Sequence, residues 1–282
     1  MELLSLVLPL RLIKIAANRQ EIPRWWGRAV QALCLRVVQE YQPALAQELH
    51  DEGGIHPYSA SSLMGSFGRD GSLKTDEPYW IRLSGLRADI SQLLWMAAQP
   101  GGSLAPGAQI ELDYAIFEIL PPSGYADSAS PWQRRMTFNE LGMPFLMAKQ
   151  TPPRRLRLLF TSPTTFKSEN RHVPLPLPKL VFGSLLERWN AFAPLAFVPE
   201  TRRYIEECLV VSRYELKTQS VLLKQGGTRV GMTGWVDFTT LNYDRYWMGI
   251  LTTLARFALF SGVGASTSQG LGQCRWAEES LT

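Results

Sequence analysis

Leu4, Leu6, Leu8, Leu10 and Leu12 alternate with Ser5, Val7, Pro9 and Arg11. A period of two predicts a strand, and Pro9, which brings no amide donor, points to a sheet edge. Val30, Leu33, Cys34, Val37, Val38 and Tyr41 recur at helical spacing and predict an amphipathic helix from about Gly27. Pro43 interrupts that helix and opens a short second one through Leu45 and Leu49, ending near His50. After a Gly53-Gly54 turn, His56 to Leu63 is compatible with a strand, and Tyr79, Ile81 and Leu83 alternate with Trp80, Arg82 and Ser84 in another. Ile90, Leu93, Leu94 and Ala97 make a helix face that Pro100-Gly101-Gly102 stops. Ile110, Leu112, Tyr114 and Ile116 alternate once more and predict a strand.

From Pro121 to Pro153 the pattern gives way to Pro, Ser, Gly and isolated aromatics, with room for a short ordered piece between Phe138 and Met147. Beyond it the order repeats. Leu156, Leu158 and Phe160 alternate, and the run Pro174-Leu-Pro-Leu-Pro178 leads into a helix carrying Val181, Leu185, Trp189 and Phe192. A strand pair covers about Cys208–Leu223 and Arg229–Thr239, joined at Gly226-Gly227. A helix through Trp247, Ile250, Leu251, Leu254, Phe257 and Ala258 follows, capped by Asp244 or Asn242. A glycine-rich loop and a strand from Leu271 to Ala277 close the chain.

The expected fold is therefore α+β: two tandem ferredoxin-like (βαββαβ, RRM-like) domains at residues 1–122 and 153–282, joined by an irregular segment, 123–152. The inference rests on element order, because the two halves are not visibly similar in sequence.

Composition narrows the class. With 45% hydrophobic and 19% charged residues among 282, the chain has ample apolar material for a core and is not a disordered or collagen-like polymer. A net charge of +4 weakly favours an anionic partner. Its apolar stretches are too short to cross a membrane. Glu2 in place of a basic leader, and Pro9 inside the run, argue against a signal peptide. Three scattered cysteines suit neither a disulfide framework nor a paired-cysteine zinc site, and fit a reducing, cytoplasmic setting.

The most distinctive stretch is Gly262-Val-Gly264-Ala-Ser-Thr-Ser-Gln-Gly270-Leu-Gly272. A helix enters it and a strand leaves it, the reverse of dinucleotide and P-loop motifs, and no Lys follows the last glycines. Two readings stand: a helix cap plus bulge, or a loop that lets a backbone or ligand come close. His50, at a helix end beside Asp51 and Glu52, sits where its imidazolium is favoured and where titration near neutrality suits acid or base work.

The ending Gly262-Val-Gly264 to Gly270-Leu-Gly272-Gln-Cys-Arg-Trp276 resembles the C-terminal glycine-rich signature of the RAMP superfamily. Leu49-His50-Asp51 with His56-Pro57-Tyr58-Ser59-Ala60-Ser61 resembles the histidine region of one branch, the CRISPR repeat-RNA endoribonucleases (the Cas six family). Phe160-Thr-Ser-Pro163-Thr-Thr-Phe166, Pro174-Leu-Pro176 and Leu185-Leu-Glu-Arg-Trp189-Asn190 are similar to the middle of that family.

The resemblance implies an endoribonuclease that cuts CRISPR precursor transcripts within the repeat by 2′-hydroxyl attack, with no metal and no cofactor. That chemistry needs a base, an acid and positive charge near the phosphorane. His50 is the leading acid or base. His56, where relatives often carry lysine, is a second proton-transfer group, a phosphate contact or a loop residue, and Tyr41 and Tyr58 are helpers or core aromatics. The RNA-contact candidates are Arg154, Arg155, Arg157, Lys167, Arg171 and His172, with Lys224 and Arg229 flanking a hairpin tip. Gly262, Gly264, Ser266, Gly270 and Gly272 join them from the loop. Basic runs are usually solvated faces, but repeat hairpins are read through phosphates and shape. The implied partners are repeat RNA or crRNA and other Cas proteins of an effector complex, with no membrane. The alternative function is a non-catalytic crRNA-binding subunit of such a complex.

Overall fold

The computed structural model describes residues 2–15, 25–51, 54–121, 130–147, 149–222 and 227–278, and for His50, Asp51 and Ser130 the backbone alone. The chain divides into two compact units. The first comprises Met1–Arg135, Leu222–Gly227 and Ser268–Gly270; the second comprises Met136–Val221, Thr228–Thr267 and Leu271–Thr282.

In the first unit the chain runs β1 (Leu3–Ile15), α1 (Gly27–Tyr41), α2 (Pro43–Asp51), β2 (Tyr58–Ala60), β3 (Met64–Gly65), β4 (Tyr79–Gly85), α3 (Ala88–Ala97), β5 (Gln109–Leu112) and β6 (Ala115–Ile119). The sheet order β2-β4-β1-β6-β5 places β1 in the middle, antiparallel to β4 and β6. Leu4 to Leu12 of β1, Val30 to Val38 of α1 and Ile90 to Ala97 of α3 share one core.

Pro9 is thus not on an edge. It pairs with Trp80 on one side, while on the other its carbonyl accepts from Leu120 just past the end of the β6 register. The missing donor falls at the end of a ladder, where it costs little. The second face of β1 is buried too. Fully buried Arg82 there donates to the hydroxyls of Ser5 (3.1 Å) and Ser84 (2.9 Å) and lies 5.3 Å from the Trp132 ring centroid. Hydroxyl acceptors satisfy a cation taken out of water.

The alternation from Ile110 to Ile116 is two strands rather than one. Leu112 pairs with Ala115 across a turn in which Asp113 has φ 47°. A two-residue turn keeps the period of two running through it, and without Asn-Gly or Asp-Gly nothing announces it.

The second unit contains α4 (Phe138–Leu146), β8 (Arg155–Thr164), β9 (Phe166–Ser168), β10 (Arg171–Val173), α5 (Pro178–Phe192), α6 (Glu200–Cys208), β11 (Leu209–Leu222), β12 (Thr228–Thr240), α7 (Arg245–Ser261) and β13 (Cys274–Ala277). Its sheet order, β11-β12-β8-β13, is the second, third, first and fourth strand of a βαββαβ unit. Residues 223–226, including most of the expected hairpin tip, lie outside the described residues.

The described part of the expected linker is ordered: a 3-10 turn at Ser130–Trp132, strand β7 at Arg134–Met136, and α4. Thr137 and Glu140 form a reciprocal capping box, and Phe138 meets Trp189 edge to face at 5.2 Å. Pro144 inside the helix conceals a Thr-x-x-Glu start signal. Helix α6 also escapes the periodicity, since only Thr201, Tyr204 and Ile205 are buried in a short charged segment. None of the three cysteines is in a disulfide; Cys34 and Cys274 are buried and Cys208 less so, and burial pushes the Cys34 thiol up to about 12.

Across β8 and β12, Arg157 grips fully buried Asp237 through two hydrogen bonds, 2.6 and 2.7 Å. The Arg157 hydrogen bond, then the nearby arginines, holds that carboxyl below its ordinary range against burial. A depressed carboxyl contributes stability that is complete above the unfolded pKa and fades as pH falls through the folded one. Asp237→Asn is expected to cost about 2–3 kcal/mol at pH 7 in urea unfolding. The gap from wild type should narrow below about pH 4; a pH-independent gap would mean that packing, not charge, holds this pair.

Candidate functional site

His50 is the second-last residue of α2, where unpaired carbonyls at a helix end favour a cation; its side-chain surroundings lie outside the described residues. His56 follows in the lead-in to β2, half-buried, its ring stacked on Tyr58 with centroids 5.4 Å apart and planes at 29°. Tyr58 is 1% exposed and its hydroxyl accepts from Gln31 Nε2 at 3.1 Å. Burial pushes the phenol up to about 12, against the hydrogen bond from Gln31. The buried Tyr58 ring is the surface on which His56 stacks. Tyr41 packs against the core of the first unit, about 15 Å further along α1 from Gln31, and is a core aromatic.

Gln31 has no counterpart in the sequence reading. It sits between core positions of α1 and donates both to Tyr58 and, at 3.4 Å, to Ser268 Oγ. Its only signal is a polar residue beside the apolar stripe. Nearby, Trp25 donates to the Gln269 carbonyl at 2.9 Å, and Ser61 bridges to Gly270. A Cβ on Gly27 would lie 1.8 Å from the Gln269 oxygen, and one on Gly270, at φ +88°, 2.7 Å from the Ser62 nitrogen. These two glycines let the backbones touch.

In the second unit, the candidates Lys167, Arg171 and His172 lie on the hairpin β9–β10, turned by Glu169 and Asn170 at φ 47° and 61°. Two successive positive φ values make a tight hairpin turn without the Gly that normally advertises one. Lys167 and His172 are cross-strand partners, and Arg171 beside them is exposed. Arg229, at the start of β12, donates to Ser266 Oγ at 2.6 Å. Partial burial, then the charges of Arg229 and Lys167, lower the His172 pKa below its usual value.

The remaining arginines are elsewhere. Arg155 and Arg157 stand at the opposite end of the ten-residue β8, about 30 Å away. Arg157 is committed to Asp237 and lies 4.1 Å from the Trp235 ring centroid; Arg154 lies 5.6 Å from that of Tyr243. Arg155 joins Arg157 in holding Asp237 ionised. The basic run is two clusters, one given over to the sheet and one around Ser266. Lys224 lies outside the described residues.

The loop glycines answer to packing. Gly262 caps α7 with φ 63°. A Cβ on Gly264 would lie 2.4 Å from the Thr165 oxygen, and one on Gly272 2.1 Å from the Val263 oxygen. Of the five loop positions expected to contact RNA, Gly262, Gly270 and Gly272 are buried, while Gly264 and Ser266 keep partial exposure. Among the described residues no group of three or more His, Cys, Asp or Glu is placed to hold a metal ion, and no helix is long and apolar enough to cross a membrane.

The fold is like that of a RAMP protein described as binding different RNA substrates, which superposes with a TM-score of 0.59 over 98% of this chain and 100% of its own at 13% identity, a likeness of fold alone. Within that fold the chain's likeness is to CRISPR-associated endoribonuclease Cas6. The family model of that description matches residues 158–274. A Mycobacterium tuberculosis protein so named is 32% identical over 123 residues, 43% of this chain and 38% of the relative's length. A Cas6 product complex is similar over 98% of this chain and 99% of its own, with a TM-score of 0.74 and 27% identity.

If the glycines serve packing, Gly272→Ala will destabilise the free protein by about 2 kcal/mol or more, read as a lower unfolding midpoint with no RNA present. An unchanged midpoint would return Gly272 to direct ligand contact.

Proposed function

We propose that the protein is an endoribonuclease that cleaves CRISPR precursor transcripts within the repeat, working in the cytoplasm and remaining on the repeat hairpin it has cut. The observation that carries this reading is the likeness, at 27% identity over 98% of the chain, to a Cas6 solved with its product. In the reaction, His50 takes the proton of the 2′-hydroxyl as that oxygen attacks the adjacent phosphorus. The 5′-oxygen leaves with a proton from an acid, giving a 2′,3′-cyclic phosphate and a 5′-hydroxyl. His56, with its ring fixed on Tyr58, is the second imidazole available to the reacting phosphate. Neither step calls on a divalent ion.

The basic cluster of Lys167, Arg171, His172 and Arg229 takes the phosphates of the repeat, with Ser266 beside it. Exposed cations next to a partly exposed loop suit recognition through backbone and shape. Other Cas proteins would receive the protein together with its product.

Cleavage of the protein's own repeat RNA is expected to persist in EDTA and to stop when the nucleotide at the cut carries 2′-deoxyribose. His50→Ala should cut at least ~100-fold more slowly with nearly unchanged binding. Cutting of the deoxy RNA, or dependence on metal, would overturn the mechanism; tight binding without any cutting would favour a crRNA-holding subunit.

A bound phosphate raises the depressed His172 pKa, so its contribution to affinity is complete below the free-protein value and fades as pH rises through the bound one. Repeat-RNA affinity should therefore increase as pH falls below about 6.5, and the increase should disappear in His172→Gln. Arg229→Gln should reduce the slope of log affinity against log salt by about 1. A wild-type slope in that variant would remove Arg229 from the interface.

A further inference from the structure

Ser266 stands in the left-handed region at φ 57° without being glycine. Such a conformation costs about 1–3 kcal/mol and persists only where the surroundings over-determine it. The surroundings here are specific. The Gly264 amide donates to Ser184 Oγ at 2.9 Å, and the Ala265 amide to the Thr165 carbonyl at 2.8 Å. From α5, Arg188 Nη2 donates to the Gly264 carbonyl at 2.7 Å and to Thr267 Oγ1 at 3.2 Å, while its Nη1 donates to Ser184 Oγ at 2.6 Å. Gly264 is therefore held at both its amide and its carbonyl, and Thr267 is fixed by the same guanidinium. Ser266 is the residue left between these anchors, and its hydroxyl meets Arg229.

The electrostatics of Arg188 are unusual in the same direction. Its hydrogen bonds go to neutral oxygens, and burial pulls its pKa down to about 10, with only the charge of Glu187 opposing. Moving a guanidinium out of water costs several kcal/mol unless it is well bonded. A loop that needed only to be packed could be fastened by neutral groups.

We propose that Arg188 is a positioning residue: a guanidinium under the loop, bridging Gly264 and Thr267, that sets Ser266 beside Arg229 as one phosphate contact. This rests on the RNA reading above. The guanidinium works through two nitrogens, Nη2 for Gly264 and Thr267 and Nη1 for Ser184, so lysine, with the same charge at a single nitrogen, cannot make all three contacts.

The test compares wild type, Arg188→Lys, Thr267→Val and Arg229→Gln, and the double variant Arg188→Lys/Arg229→Gln. Half-saturating protein concentration for repeat RNA and single-turnover rate at saturation are read separately, with unfolding midpoints alongside. Arg188→Lys should raise the half-saturating concentration at least tenfold, with its loss in affinity rather than in the rate at saturation, and Thr267→Val should raise it severalfold. In the Arg229→Gln background the effect of Arg188→Lys should shrink below threefold, because both act through one contact. Equal losses in both backgrounds, or wild-type affinity in Arg188→Lys, would overturn the proposal. Should Arg188→Lys not fold, unchanged affinity in Thr267→Val overturns it instead. If wild type neither binds nor cuts repeat RNA, the RNA reading falls and the proposal with it, a result distinct from a wild type that cuts and a variant that binds equally well.

Discussion

The demand that every enclosed amide find an acceptor shapes the last part of the chain. The Gly262, Val263, Gly264, Ala265 and Gly272 amides donate to Ala258, Gly272, Ser184, Thr165 and Pro163 respectively. For those bonds to form, backbones must come nearer than a Cβ allows, and several φ angles must be positive. Glycine follows from that constraint, as does the arginine beneath. Those five amides are turned inward and offer no nest for an anion, so on the proposed reading the contribution to RNA binding falls to side chains: Ser266, Arg229 and the β9–β10 hairpin.

The same economy is visible in the first unit. The start of α1 carries no side-chain cap, and the neighbourhood is occupied by Ser268 to Gly270, held by Trp25, Gln31 and Ser61. His56 lies next to this knot, through Tyr58 and Gln31. The His56 ring is thus mounted on groups that are themselves held by packing and hydrogen bonds, which is what an oriented imidazole requires.

Much of the architecture was legible because periodicity survives wherever one face is buried. The α1 stripe, the β4 alternation and the α7 face all occur where spacing put them, and the order of elements implied the double βαββαβ arrangement. What escaped did so for local reasons. Asp113 and the Glu169-Asn170 pair turn hairpins without glycine. Pro144 conceals the helical character of α4, whose span is expected only as a short ordered piece, and α6 has too few apolar positions to register. The site was less legible than the fold. Periodicity says which face of α1 is buried but not that Gln31 reaches Tyr58, and a count of basic residues cannot separate Arg157, spent on Asp237, from Arg229. Arg188 lay inside a segment notable only for its family resemblance, whose neighbours Trp189 and Asn190 fasten the Leu195 and Phe197 backbone.

The unequal burial of the three cysteines has a practical side. Reactivity toward electrophiles follows the thiolate fraction and access, and both are withheld from Cys34, while Cys274 is buried at the start of β13. Cys208, at the end of α6, is the most accessible of the three. A maleimide dye would find a natural single address there, giving a reporter in the second unit without engineering the chain.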